Sequence, residues 1–111
     1  MRSLLHSTLK NIYPAYSQGS LSPEEYQGTF FTYWNYERPE IFADNKPVGA
    51  HWGFWVYCYS DDPKTLDKAL QDAVEALRAA GFIIENPGVD AASDKRSHIG
   101  RMITVKYIES Y

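Results

Sequence analysis

Residues 51–60, HWGFWVYCYS, restrict what this chain can fold into more than any other stretch. Trp52, Phe54, Trp55, Tyr57 and Tyr59 bring five aromatic rings into ten positions, and His51 adds a sixth. Successive side chains of a β-strand point to opposite faces, so Trp52, Phe54, Val56 and Cys58 share one face, and Trp55, Tyr57 and Tyr59 the other. A strand with one solvated face alternates apolar with polar residues. This one is apolar on both. One helical layer can cover only one of them, so the other needs a second layer, the protomer's own loops or another subunit. A chain of 111 residues has little material for a second layer. The pattern therefore predicts an assembly surface. Its candidate residues are Trp55, Tyr57 and Tyr59, together with Phe31 and Tyr33 of the aromatic run before them.

The length predicts one domain spanning residues 1–111. A chain of this size can bury a core without disulfides or metals. Aromatic residues make up 15% of it, including nine Tyr and three Trp. Tyr and Trp suit contact surfaces, because their rings are apolar and their tips polar. The net charge is −3 and no basic block stands out: Lys95 and Arg96 have Asp94 beside them. Sequence-independent DNA binding needs a cationic face, which argues against that function. Cys58 is the only cysteine. It has no intrachain disulfide partner, and its place in the apolar strand predicts a buried small hydrophobe. No h-region begins the sequence and no run of 18 apolar residues occurs, so neither a signal peptide nor a membrane span is expected. A reducing cytoplasm is the default compartment.

Along the chain, residues 2–13 place Leu4, Leu5, Leu9 and Ile12 at helical spacing before Pro14. Residues 15–28 are polar and turn-rich, and their composition predicts a loop that orders on assembly, as does that of 89–97. TFFTYWNY at 29–36 suits a strand, and 37–49 reads as a connection containing Pro39, Asp44, Asn45, Pro47 and Gly49. After the strand at 50–60, Asp62 and Pro63 open a helix over 63–80. Leu66, Ala69, Leu70, Ala73, Val74, Leu77 and Ala80 form its stripe, and Gly81 ends it. Residues 82–85 and 97–109 read as strands, with Gly100 as a candidate bulge. The predicted class is α+β. It has a small antiparallel or mixed sheet of about four strands packed with two helices, in the order α-β-β-α-β-β.

No sequence motif for catalysis or cofactor binding is present: no P-loop, GxGxxG, GxSxG, HExxH or CxxC. His51 and His98, with Asp44 or Asp94, could in principle meet at a metal, but no ligand spacing supports such a site. Asp90, Ser93, Asp94 and His98 are common residues in a polar loop and make weak evidence for a triad. No catalytic, cofactor or metal site is expected.

The segments FFTYWNYERPEIFADNKP (30–47), WGFWVYCYSDDP (52–63), GFII (81–84) and ASDKRSHIGRMITVKYIE (92–109), with the helix at 63–80, resemble the small tail-completion proteins of tailed bacteriophages and prophages. These are also called tail terminators or head-tail joining proteins. The resemblance implies a non-enzymatic virion protein, assembled in the bacterial host cytoplasm, that forms a hexameric ring at the tail end or head–tail junction. Its partners would be further copies of itself, the tail-tube protein and the head connector, and DNA would pass through the ring without specific binding. Such a ring can await the tail tube, leaving the isolated protein monomeric. The rival expectation is a cytosolic ferredoxin-like α+β domain that binds a small molecule or acts as an enzyme. A concave pocket with convergent polar groups would favour that rival.

Overall fold

A computed structural model describes residues 2–17, 28–91 and 98–111. The elements follow the order α1 (Arg2–Lys10), β1 (Ala15–Ser17), β2 (Phe30–Glu37), β3 (Glu40–Ala43), β4 (Lys46–Ser60), α2 (Pro63–Ala79), β5 (Ile83–Ala91) and β6 (Ile99–Ser110). The strands form one mixed sheet of six, in the spatial order β1-β2-β4-β6-β5, with β3 also paired to β4. The expected four-strand sheet in the order α-β-β-α-β-β is therefore wrong. The described order is α-β-β-β-β-α-β-β, and the additional strands are β1 and β3.

Both omissions have a physical origin. β1 has three residues, too few for a periodicity to show, and it exists through a parallel ladder to β2 (Ala15↔Phe31 to Ser17↔Tyr33). β3 and the start of β4 contain Pro47 and Gly49, residues usually depleted in strands. They form a hairpin nonetheless, because Asp44 and Asn45 both adopt positive φ (53° and 63°). Positive φ at both central residues is the requirement of the two-residue hairpin turn whose twist matches its strands, and Asp and Asn tolerate it better than most residues.

β4 is the spine of the sheet. Its second half pairs with β2 (Phe30↔Tyr59 to Glu37↔Gly53) and its first half with β3 (Glu40↔Ala50 to Ala43↔Lys46). β6 runs along its other edge from Gly49↔Ser110 to Ser60↔Ile99 without a register shift. Gly100 is thus a regular ladder position and not a bulge. Register shifts lie in the β2–β4 ladder between Asn35 and Glu37, in the β3–β4 ladder between Ile41 and Phe42, and in β5 between Ile84 and Asn86 and between Asn86 and Val89. In β5 the strand runs through Asn86-Pro87-Gly88, with the Gly88 amide donating to Asn86 Oδ1 (3.2 Å).

Both helices pack on one face of this sheet. Leu5 and Leu9 of α1 and the predicted stripe of α2 meet Phe31, Phe54, Val56, Cys58, Ile103 and Val105 in one cluster. Pro63 opens α2, and the Asp62 carboxylate accepts a hydrogen bond from Thr65 Oγ1 (2.6 Å). That hydroxyl is the main reason why the Asp62 pKa lies below the usual 3.8. Cys58 is fully buried, and desolvation pushes its thiol up to about 12, so it is neutral and inert at physiological pH. Of the loops expected at 15–28 and 89–97, residues 15–17 and 89–91 are strand instead, while 18–27 and 92–97, with Lys95, Arg96, Ser93 and Asp94, lie outside the described residues.

Candidate interaction surface

The register of β2 on β4 decides which aromatic residues share a face. Phe31 pairs with Cys58 and Tyr33 with Val56, while Thr32 pairs with Tyr57 and Trp34 with Trp55. Paired residues project to the same side. Phe31 therefore lies on the helix-covered side, at 0% exposure. Tyr33 follows it, half-buried at the edge of α1, with its hydroxyl 3.0 Å from His6 Nδ1. Burial is the main cause that raises its pKa, opposed by the charge of Arg2. Neither residue joins Trp55 and Tyr57. The β2 residues that do are Thr32, Trp34 and Tyr36.

The side without helices carries Trp34 (47% exposed), Trp55 (36%) and half-buried Tyr36 and Tyr57. Met102 and Thr104 of β6 lie opposite Tyr57 and Trp55, and Val89 of β5 lies beyond Met102. Ile83 and Ile108 are on the same side and about half exposed. Tyr36 stacks on Trp55 at 4.8 Å and 17°. A Cβ at Gly53 would come within 2.7 Å of the Tyr36 ring, so the glycine is what lets that ring lie across the strand. Trp34, Trp55 and Val89 thus leave apolar surface uncovered on this side, and exposed apolar patches on a monomer are often functional.

Tyr59 behaves differently from its strand neighbours. It is 9% exposed, stacked on Phe30 at 5.4 Å, with Tyr57 at 6.2 Å on the same side. Gly100, opposite it, leaves room for its ring, since a Cβ there would be 2.7 Å from Tyr59 Cε1. Phe30 also meets Tyr16 and His98. One end of the face is thus a closed aromatic cluster. Of the five residues expected at an interface, Trp55 and Tyr57 are the two available on the open face.

A charged cluster crosses the face between Thr104 and Ile108 of β6. Lys106 bridges Glu37 (3.2 Å) and Glu85 (3.3 Å), joining β6 to β2 and β5, and its pKa is raised by those two carboxylates. At the other end of β4, Arg38 lies over the Trp52 ring (4.7 Å) and hydrogen-bonds Tyr111, near Glu40 and Glu109. The Trp52 indole donates to Glu109 (3.1 Å). This cluster covers the helix-side surface of β4 where Trp52 emerges from the core.

His51 and His98 lie at opposite ends of β4, because His98 precedes the residue paired with Ser60. They do not meet, and His98 bonds the Gly28 carbonyl instead (3.0 Å). No group of three potential metal ligands occurs among the described residues. A cleft of about 340 Å³ runs past the edge of β2 between Arg2, Ser17, Tyr33, Trp34 and Asn35. Two of its polar side chains are engaged within the protein: Asn35 donates to the Glu37 and Gly53 carbonyls (2.9 Å each), and Tyr33 meets His6.

No protein-family model matches this chain, and no curated protein matches it either. The likeness to tail-completion proteins rests on the segments quoted above.

Proposed function

We propose that this protein is a non-enzymatic structural component of a phage or prophage virion, a ring subunit at the tail end or head–tail junction. The observation that carries the reading is a single sheet with both helices on one face and exposed aromatic residues on the other. Apolar surface of that kind is stabilised by burial, and repeated contacts between identical subunits bury it at every junction. The resemblance of residues 30–47, 52–63 and 92–109 to tail-completion proteins supplies the setting. The face is uncharged from Thr32 to Met102 along the paired strands, which suits a protein contact better than a nucleic-acid one. The small-molecule rival draws on the β2 cleft, where Asn35 and Tyr33 already have partners in the protein.

The test is complementation of the encoding phage or prophage after deletion of the gene. Trp55→Glu should leave the fold intact, since this ring is partly exposed and outside the core cluster, and should yield unjoined heads and tails. Folded, soluble mutant protein that restores infectious particles would remove the assembly role of this face.

A further inference from the structure

The outer edge of β2 is only partly paired. The Phe31 amide donates to the Pro14 carbonyl (2.8 Å), so the backbone of Phe31 faces away from β4. Every second residue of a strand turns its N–H and C=O to the same edge, which puts those of Tyr33 and Asn35 there too. β1 ends at Ser17, opposite Tyr33. Two residues further on, Asn35 has no strand outside it among the described residues. The cleft of about 340 Å³ lies at this step, lined by Arg2, Ser17, Tyr33, Trp34 and Asn35. Arg2 is the charged member of that lining, and it makes no ion pair among the described residues. Nor does an acid stand in the first turn of α1. Trp34 adds an indole that is 47% exposed.

We propose that this edge of β2 binds a short, extended acidic segment of a partner protein, which continues the line of β1 and sets a carboxylate against Arg2. The proposal does not rest on the ring reading. Backbone is the first argument. An unpaired N–H and C=O at a sheet edge is a template for an added strand, whose main chain supplies the hydrogen bonds. The side chains of Asn35 and Tyr33 are engaged within the protein, which leaves the Asn35 backbone and the Arg2 guanidinium to meet a ligand. Charge is the second argument. The chain carries a net −3, yet this cleft is lined by a cation and no acid. The cleft along α2, of about 360 Å³, is different: Asp67 and Glu75 line it with Arg78 and Arg101, and Arg101 is already paired with Asp67 (3.4 Å). Length is the third. The register of β2 on β4 shifts after Asn35, so the regular edge ends there and the docked segment is short. Its contacts are the backbone of one β2 residue, one ion pair and one side chain against Trp34.

The test is an amide NMR titration of the full chain with a capped pentapeptide, Thr-Val-Glu-Val-Thr. Saturable shifts are expected at Arg2, Ser17 and Tyr33 to Asn35. Replacing the peptide's Glu by Gln, or Arg2→Gln in the protein, should each weaken binding about fivefold, the upper end for a solvent-exposed ion pair. The two changes together should cost little more than either, because both remove the same contact. Methylating the peptide's central amide nitrogens should abolish the shifts. Arg2 is exposed, so Arg2→Gln should leave the spectrum away from the cleft unchanged. Equal affinity for the Glu, Gln and N-methylated peptides, or no saturable shift with any of them, would overturn the proposal. So would the same shifts with sodium acetate alone, which would mark a site for free carboxylates. Shifts centred on Trp55 and Tyr57 would place the peptide on the open face and overturn it as well.

Discussion

The two faces of the sheet are built from the same strands, yet they spend their aromatic residues differently. On the helix side, Phe31 and Phe54 are fully buried in a cluster that adds aliphatic side chains of α1 and α2 to the neighbouring rings of Tyr13, Trp52 and Phe82. On the other side, rings lie on rings: Tyr36 on Trp55, and Tyr59 on Phe30. Helices deliver many small and branched groups that fill the space around a ring. Cross-strand stacking hides one surface of each ring and leaves the other to solvent, unless a further ring closes over it, as at Phe30. The covered face is therefore where folding energy concentrates, and the open face is where surface remains for a partner.

The comparison breaks if the covered face proves dispensable. Phe54→Ala removes a fully buried ring between Trp52 and Phe82 and should cost about 3–5 kcal/mol in chemical denaturation. A cost below about 1 kcal/mol would mean that the helices do not hold this face. Phe30→Ala sharpens the contrast, because Phe30 is on the open side but only 1% exposed. It should cost about 3 kcal/mol, close to a core truncation, if the cluster with Tyr16, Tyr59 and His98 is a second small core. Trp55→Ala should have the smallest effect on the free protein, about 1 kcal/mol or less, since its ring is already partly solvated. A thermal or denaturant midpoint shifted as far as that of Phe54→Ala would show that the open face is not a reserve for partners.

What the sequence made legible follows from how local each signal is. The α2 stripe needs only helical spacing, and all its predicted members are buried except Ala80, which caps the helix and is half-buried. The two faces of β4 need only alternation, so Trp55 and Tyr57 separate correctly from Phe54 and Val56. Joining β2 to β4 needs a register, and a shift of one residue exchanges every side chain between faces. Phe31 and Tyr33 were assigned to the wrong side for that reason. The β3 hairpin did leave a local mark, Asp44-Asn45 between Glu40–Ala43 and Lys46–Gly49, which Pro39, Pro47 and Gly49 outweighed. β1 left none, because its three residues are held by a partner in the next strand rather than by their own pattern.

The hairpin is an extension of β4 itself, a single strand of 15 residues with β6 paired along it as far as Gly49. A segment grown from the body in this way is already ordered before it touches anything. Flexible arms lose backbone and side-chain freedom on docking, and that loss is subtracted from every contact they make. Here most of the loss was incurred when the sheet folded. An exposed ring such as Phe42 is therefore held in place by the sheet rather than by a contact of its own, and the direction in which the hairpin reaches is set by the twist of the sheet.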